Sequence, residues 1–77
     1  MNKILVIVYI PLLDEVYDIF IPINKKVGTV KKAIVESIKN LEDKNYRLLI
    51  EENCKIAEDN DYVKNSGIKN GSKLVLL

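Results

Sequence analysis

The apolar residues of the chain fall into runs that predict four strands and one helix. Residues 4–10 are continuously apolar and rich in β-branched side chains, which is typical of a strand near the centre of a sheet. Apolar and polar residues alternate over 16–23 and over 46–51, and the last run is apolar at 73–77, so these segments predict three more strands. A short segment at 55–57 is a candidate fifth strand.

The helix is predicted between the second and third strands. Thr29 occupies the position expected of an N-cap, and Val27, just before it, is placed to act as a hydrophobic staple. Four apolar residues follow at spacings that form one stripe on a helix: Val30, Ile34, Ile38 and Leu41. The polar residues at 43–45 predict the end of the helix.

The order of these elements restricts the topology to few arrangements. A single helix covers only one face of the sheet, and the crossover through it should be right-handed. The first and last strands are the most apolar, so we expect them to be central, adjacent and parallel. Pro22 has no N–H group to donate, which places the second strand at an edge. The prediction is one α+β domain over residues 1–77, a β-grasp with a mixed sheet of four to five strands packed on one helix.

The composition excludes several classes of function. The 12 basic residues balance the 11 acidic ones, a net charge of +1, so the chain has no overall attraction to nucleic acid or to a membrane surface. Hydrophobic residues make up 48% and charged residues 30%, which predicts a folded domain instead of a disordered chain. A single cysteine forms no internal disulfide, so nothing indicates an oxidising compartment.

No constellation of residues predicts catalysis or metal binding. The chain has no histidine, which removes the usual nucleophile pairs and zinc ligand sets. Cys54 follows two glutamates and has no base near it in sequence that would activate it as a nucleophile. The acidic run at 58–61 lacks the central glycine and the late glutamate of a calcium loop. We therefore predict that the protein is not an enzyme and holds no cofactor or metal.

Two segments of the sequence allow a second interpretation besides that of ordinary folded structure. Lys3 and the apolar run at 4–13 have the composition of a secretory signal, but the run contains Pro11, lacks a cleavage site and is too short to span a bilayer, which favours a buried strand. Four lysines surround the predicted start of the helix: Lys25, Lys26, Lys31 and Lys32. They are interpreted as a solvated surface, with a rim that meets an acidic partner or a phosphate as the alternative.

The side of the sheet opposite the helix carries the candidate functional residues. Strict alternation directs six apolar side chains to this side: Leu5, Ile7, Phe20, Leu49, Val75 and Leu77. Arg47, Glu51 and nearby lysines would form a polar rim around them. We interpret this side as a protein-binding face. The alternatives are a homodimer interface, incidental exposure with partial cover by residues 53–65, and a one-residue slip of the first strand, which would exchange its two sides.

Two motifs carry a resemblance to a known family. The first is Tyr17–Pro22 (YDIFIP) before the helix, and the second is the turn Gly67–Gly71 (GIKNG), which ends six residues before Leu77. With them the whole chain resembles ubiquitin-like proteins and, more narrowly, the small bacterial proteins of the YukD/EsaB family associated with type VII secretion. The resemblance implies a cytoplasmic accessory or regulator of a type VII-like secretion system that acts by binding another protein.

The comparison with ubiquitin adds two expectations. Ubiquitin uses the outer side of its sheet for recognition, and Leu49 and Leu77 match part of that patch, whereas Val75 aligns with a polar residue. Ubiquitin and the β-grasp sulfur carriers act through a terminal Gly-Gly, which is absent from the end of this sequence, so conjugation is not expected. The expected function is a non-catalytic protein-binding module, with self-association through the same face as the alternative; neither nucleic-acid binding nor membrane insertion is expected.

Overall fold

The computed structural model describes residues 2–77 and contains five strands and one helix in that range. The elements are β1 (Lys3–Ile10), β2 (Glu15–Pro22), α1 (Val27–Ser37), β3 (Leu48–Ile50), β4 (Lys55–Ile56) and β5 (Lys73–Leu76). Two short 3₁₀ turns, Glu51–Asn53 and Val63–Asn65, lie in the long connection between β3 and β5. The predicted order of strands and helix is therefore confirmed.

The strands form one mixed sheet in the order β2-β1-β5-β3-β4. β1 and β5 run parallel at the centre, and the other neighbours are antiparallel. This is the predicted β-grasp arrangement, with β2 at one edge and the short β4 added beyond β3 at the other. The predicted fold class is confirmed.

The core lies between α1 and one side of the sheet. Alternate residues of the central strands are buried there: Val6, Val8, Ile10, Leu48, Ile50, Leu74 and Leu76. Val30 and Ile34 of α1 belong to the same cluster. Full burial of a side chain of this size contributes about 1.5–3 kcal/mol, so this single layer of contacts accounts for most of the stability of so small a domain.

The start of α1 differs from the prediction. The helix begins at Val27 with Lys26 as its N-cap, so Thr29 lies in the first turn and is not the cap, and Val27 is not a staple outside the helix. The Val27 N–H donates to the backbone carbonyl of Asp61 at 2.8 Å. Because a carbonyl from a distant loop satisfies this N–H group, the helix starts without a side-chain cap, and the local sequence carries no signal for its first residue.

Asp59 holds the same end of the helix. Its backbone oxygen accepts a hydrogen bond from the Gly28 N–H at 3.0 Å, and its carboxylate lies 2.7 Å from Nζ of Lys31. A Cβ atom on Gly28 would lie only 3.1 Å from the Cβ of Asp59, so the missing side chain permits this close approach. Of the four clustered lysines, Lys31 is therefore paired within the fold.

The end of α1 also differs, since the helix stops at Ser37 and not at 43–45. The Ser37 Oγ donates to the carbonyl of Ile34 at 2.8 Å, and Ile38 takes an extended backbone conformation. Such side-chain bonds to the last turn compete with continuation of the helix. Ile38 is nevertheless buried and Leu41 half-buried, so the predicted stripe packs on the core although its last two members lie outside the helix.

The third strand is shorter than predicted. β3 spans Leu48–Ile50 instead of 46–51, because a 3₁₀ turn begins directly after it. Pairing with the end of the chain nevertheless extends one residue further, since Arg47 and Leu77 donate N–H groups to each other's carbonyls, both at 2.8 Å. The alternation predicted for this segment is retained.

Val63, and not Tyr62, anchors the connection between β4 and β5. Tyr62, an aromatic residue of this loop, is 44% exposed, whereas Val63 is fully buried. The N–H of Val63 donates to the Lys25 carbonyl at 2.9 Å, and the next N–H donates to the Ile23 carbonyl at 3.1 Å. The loop therefore closes the core beneath the start of α1.

Ile34→Asp is expected to unfold the domain. Ile34 is 4% exposed in the core, and an unpartnered buried carboxylate costs about 4 kcal/mol or more, close to the whole stability of a domain this small. Far-UV circular dichroism and thermal melting measure the effect. Lys32→Asp, at an exposed position of the same helix, is the matched control and should melt cooperatively. A cooperatively folded Ile34→Asp protein would contradict the placement of α1.

Candidate protein-interaction face

The pleat of the strands sends alternate side chains to the side opposite α1, which is termed the outer face. The structure places all seven sequence-predicted residues there: Leu5, Ile7, Phe20, Arg47, Leu49, Val75 and Leu77. Their neighbours Val6, Val8 and Leu48 point into the core and are buried. The predicted register of the first strand is therefore confirmed, whereas the binding role of the seven residues stays a prediction.

The strand registers align five outer-face side chains in one line across the sheet. Tyr9 pairs with Val16 on one side and with Val75 on the other. Val75 pairs in turn with Leu49, and Leu49 pairs with Ile56. This line is termed the apolar row. It crosses all five strands, and at a strand spacing of about 4.8 Å it is roughly 20 Å long.

Further apolar side chains extend the face on both sides of the apolar row. Leu5 and Phe20 pair across β1 and β2, and Phe20 is 63% exposed. Leu77, beyond the end of β5, is 52% exposed. Monomeric proteins seldom expose a contiguous apolar patch of more than a few hundred Å² without a functional reason. The outer face is therefore the strongest candidate surface for recognition.

Three members of the apolar row were not predicted from the sequence. The alternation that sends Ile7 to the outer face continues to Tyr9, and the alternation through Phe20 reaches back to Val16. The sequence pattern therefore assigns both residues to the outer face. Ile56 carried none. It joins the row only because the two-residue strand β4 pairs with β3, and no periodic pattern marks so short a strand.

Polar groups border the apolar row. Asp18 and Lys73 both pair with Ile7 and therefore stand on either side of it. The Tyr9 hydroxyl donates to the Asp14 carboxylate at 3.2 Å. This hydrogen bond raises the pKa of Tyr9, and desolvation and the negative charge of Asp14 act in the same direction. Tyr9 is therefore a neutral hydrogen-bond donor within an apolar surface.

The connection at 53–65 leaves the outer face open. It contributes Ile56 to the face and then turns toward the start of α1, where Asp59 and Asp61 accept backbone hydrogen bonds, and Val63 enters the core. Within residues 2–77, each of the seven predicted residues keeps at least partial exposure. Residues 53–65 therefore do not cover the outer face, which was one of the alternatives to a binding role.

Apart from the outer face, the features to consider are metal-ligating side chains, the cysteine and a membrane-spanning helix. Among residues 2–77, no three cysteine, histidine or carboxylate side chains come together as a metal site would require. Cys54 is exposed, and its Sγ lies 3.7 Å from the Glu51 carbonyl oxygen. No helix in that part of the chain is both long enough and apolar enough to cross a membrane.

Comparison with known proteins identifies the fold. No family model matches the sequence, and no curated protein matches it. Solved structures do match. The N-terminal ubiquitin-like domain of the protein 4931431F19Rik is 25% identical, with a TM-score of 0.79 over 99% of this chain and 74% of that one. The ubiquitin-like domain of Arabidopsis thaliana protein At2g32350 is 22% identical, with a TM-score of 0.79 over 100% and 78%.

Two other matches come from proteins with described roles. A protein whose molecular mimicry of SUMO promotes DNA repair is 17% identical, with a TM-score of 0.84 over 100% of this chain and 92% of that one. ATBAG1, solved in complex with HSP70, is 22% identical, with a TM-score of 0.75 over 96% of this chain and 39% of that one. These likenesses show that the chain has a ubiquitin-like fold.

Leu49→Asp is expected to leave the domain folded, because the Leu49 side chain lies on the outer face and is only half-buried. Its neighbour provides a matched control: Leu48 is 1% exposed in the core, so Leu48→Asp should unfold the domain. Thermal melting of the two variants beside the wild type measures the difference. Equal destabilisation by the two substitutions would mean that the outer face is not a free surface.

Proposed function

We propose that the protein is a non-catalytic protein-binding module that recognises its partner through the outer face. The observation that carries this proposal is the apolar row, five apolar side chains aligned across every strand of the sheet. The five strands that carry this surface are held in register by backbone pairing between neighbouring strands. A partner surface therefore meets a preorganised patch and loses little conformational freedom on the protein's side.

The composition of the face fits a recognition surface. The centre contains a tyrosine among aliphatic side chains, and aromatic residues are enriched at the energetic centre of interfaces. Asp18, Lys73 and Arg47 stand at its border with charges of both signs, which orient a partner more than they increase affinity. Hydrophobic burial at the apolar row would provide the affinity.

The similar structures support a binding role in general terms. ATBAG1 was solved in complex with HSP70, and another neighbour mimics SUMO. The ATBAG1 description concerns a protein that contains a similar domain and was solved in contact with another protein. That complex supports the class of function proposed here, and the partner of this chain is to be found by experiment.

The sequence resemblance adds a finer proposal. The strand Tyr17–Pro22 and the turn Gly67–Gly71 resemble the YukD/EsaB family, so the proposed partner is a cytoplasmic component of a type VII-like secretion system. This finer proposal rests on the sequence motifs alone. Recovery of specific partners that include no secretion component would contradict it and leave the binding role intact.

A capture experiment tests the binding role. Immobilised wild type, Leu49→Asp and Tyr9→Asp are compared for retained proteins by quantitative mass spectrometry, with Lys32→Asp on the helix side as the control. Specific partners should be retained by the wild type and by Lys32→Asp, and should fall about tenfold or more with either outer-face substitution, because each places a charge in the centre of the patch.

Two outcomes would overturn the proposal. Partners retained equally by Leu49→Asp and the wild type, but lost with Lys32→Asp, would place recognition on the helix side. A homodimer of the wild type that Leu49→Asp converts to monomer would show that the outer face binds a second copy of the chain, which is the self-association considered from the sequence. Light scattering of the same proteins separates this outcome from binding of another protein.

A further inference from the structure

β2 forms an edge of the sheet with a regular set of unpaired backbone groups. The Ile23 N–H donates to the Asn2 carbonyl at 2.9 Å, which sets the alternation of hydrogen-bonded pairs along β1 and β2. Tyr17, Ile19 and Ile21 therefore bond to β1. The intervening residues direct their N–H and C=O groups outward: Val16, Asp18 and Phe20, with Pro22 presenting only a carbonyl.

The hydrogen bonds on the other side of β1 support this assignment. The Ile7 N–H donates to the Ser72 carbonyl at 2.9 Å, and the Leu5 carbonyl accepts from the Gly71 N–H at 2.7 Å. The odd-numbered residues of β1 thus bond toward β5, so the even-numbered ones bond to β2, as the pairing at Ile23 requires. The outward groups of β2 form an open template for another strand.

An apolar groove runs along this edge between β2 and α1. It has a volume of about 370 Å³ and is lined mostly by apolar side chains, five of which are aliphatic residues that face it from β2 and α1: Ile19, Ile21, Val30, Ala33 and Ile34. The small side chain of Ala33 leaves the helix side of the groove open. A strand added to β2 would direct its own alternate side chains over this groove.

The charges at the two ends of β2 indicate which strand would pair with this edge. Asp14 and Glu15 lie at the start of β2, and Lys25 and Lys26 follow its end; all four residues are exposed. An edge that is acidic at one end and basic at the other is complementary to an antiparallel copy of itself. Interfaces of this kind, in which the same patch serves both subunits, are the commonest in homo-oligomers.

We propose that two copies of the chain associate through β2 in a symmetric antiparallel pair, with the two-fold axis at Ile19. In this register Asp18 exchanges hydrogen bonds with the partner's Phe20, and the Val16 N–H donates to the carbonyl of the partner's Pro22. The missing N–H of Pro22 costs one bond for each copy. Ile19 meets the partner's Ile19 on the helix side, where the two side chains cover the apolar grooves.

Neighbouring registers are less favourable. A shift in one direction places Asp18 directly opposite the partner's Asp18, and like charges in that position repel. A shift in the other direction sets Asp18 against the partner's Pro22 and leaves Val16 facing a turn instead of a strand. Only the register centred on Ile19 pairs every outward N–H group of β2 without opposing like charges.

The dimer does not depend on the outer face. Pairing at β2 joins two five-stranded sheets edge to edge, and the apolar rows of both copies stay on the same open surface. This inference is therefore independent of the proposed function. Leu49→Asp should leave the dimer intact, whereas it would dissolve a dimer formed through the outer face.

Register-specific cross-linking tests the proposal. In a Cys54→Ser background, Ile19→Cys should form a disulfide between copies, because directly opposed residues of a non-hydrogen-bonded pair have Cα atoms about 4.5 Å apart, within the disulfide range of about 4.4–6.8 Å. Asp18→Cys and Phe20→Cys are the matched controls. Each would lie diagonal to its own copy, at about 7 Å or more, and should cross-link poorly.

Sedimentation of the uncross-linked proteins provides a readout that does not depend on cysteine chemistry. The wild type should dimerise with increasing concentration. Asp18→Pro should be monomeric yet folded, since it removes an outward N–H and no bond to β1. Lys25→Glu should weaken the dimer about tenfold, and Lys25→Glu with Glu15→Lys should restore it, because opposite charges again meet at the ends of the edge.

Three results would overturn the proposal. A wild type that stays monomeric up to about 1 mM would mean that the edge does not bind a second copy, even if a peptide from another protein pairs there. Stronger cross-linking through Asp18→Cys or Phe20→Cys than through Ile19→Cys would assign a different register. A wild-type dimer that Leu49→Asp dissolves and Asp18→Pro preserves would place the interface on the outer face.

Discussion

The parallel pairing of β1 with β5 is the interaction on which the rest of the structure depends. It joins the two ends of the sequence at the centre of the sheet, and its register is fixed next to the turn that precedes β5. There the Asn70 side chain accepts the Leu5 N–H at 2.8 Å, and the Gly71 N–H donates to the Leu5 carbonyl at 2.7 Å. Gly71 adopts a φ of 88°, which favours glycine, so the turn can place both groups against β1.

The same register determines both sides of the sheet. It sets Val8 beside Leu74 in the core and Tyr9 beside Val75 on the outer face. A slip of one residue would bury the outer set and expose the core, which the burial of Val8 and Leu74 makes prohibitively costly. The single helix covers only the inner side. The pairing that holds the centre of the core together therefore also sets Tyr9 and Val75, two members of the apolar row, side by side on the outer face.

The order of the elements and the apolar first and last strands predicted the topology, and alternation along the strands predicted which residues lie on each face. The assignment of faces succeeded because the period of two is set by the pleat and does not depend on distant contacts. The prediction failed where a distant contact decides the outcome. The start of α1 depends on carbonyls of Asp59 and Asp61, about thirty residues later in the chain, and the place of Ile56 depends on the pairing of a two-residue strand. In the loop before β5, backbone hydrogen bonds from Val63 and Lys64 to the segment before α1 bring Val63 into the core and leave the aromatic Tyr62 exposed.

Methyl NMR during titration with a captured partner would show directly whether recognition takes place on the apolar row. The methyl groups of Val16, Leu49, Ile56 and Val75 report on the apolar row, and the methyl groups of Thr29 and Ala33 report on the exposed helix side. The largest chemical-shift changes should fall on the apolar row, in the four strands that carry these methyl groups, and the helix methyls should stay unchanged. Changes concentrated at Thr29 and Ala33, with the row unaffected, would show that recognition takes place on the helix side and not on the outer face.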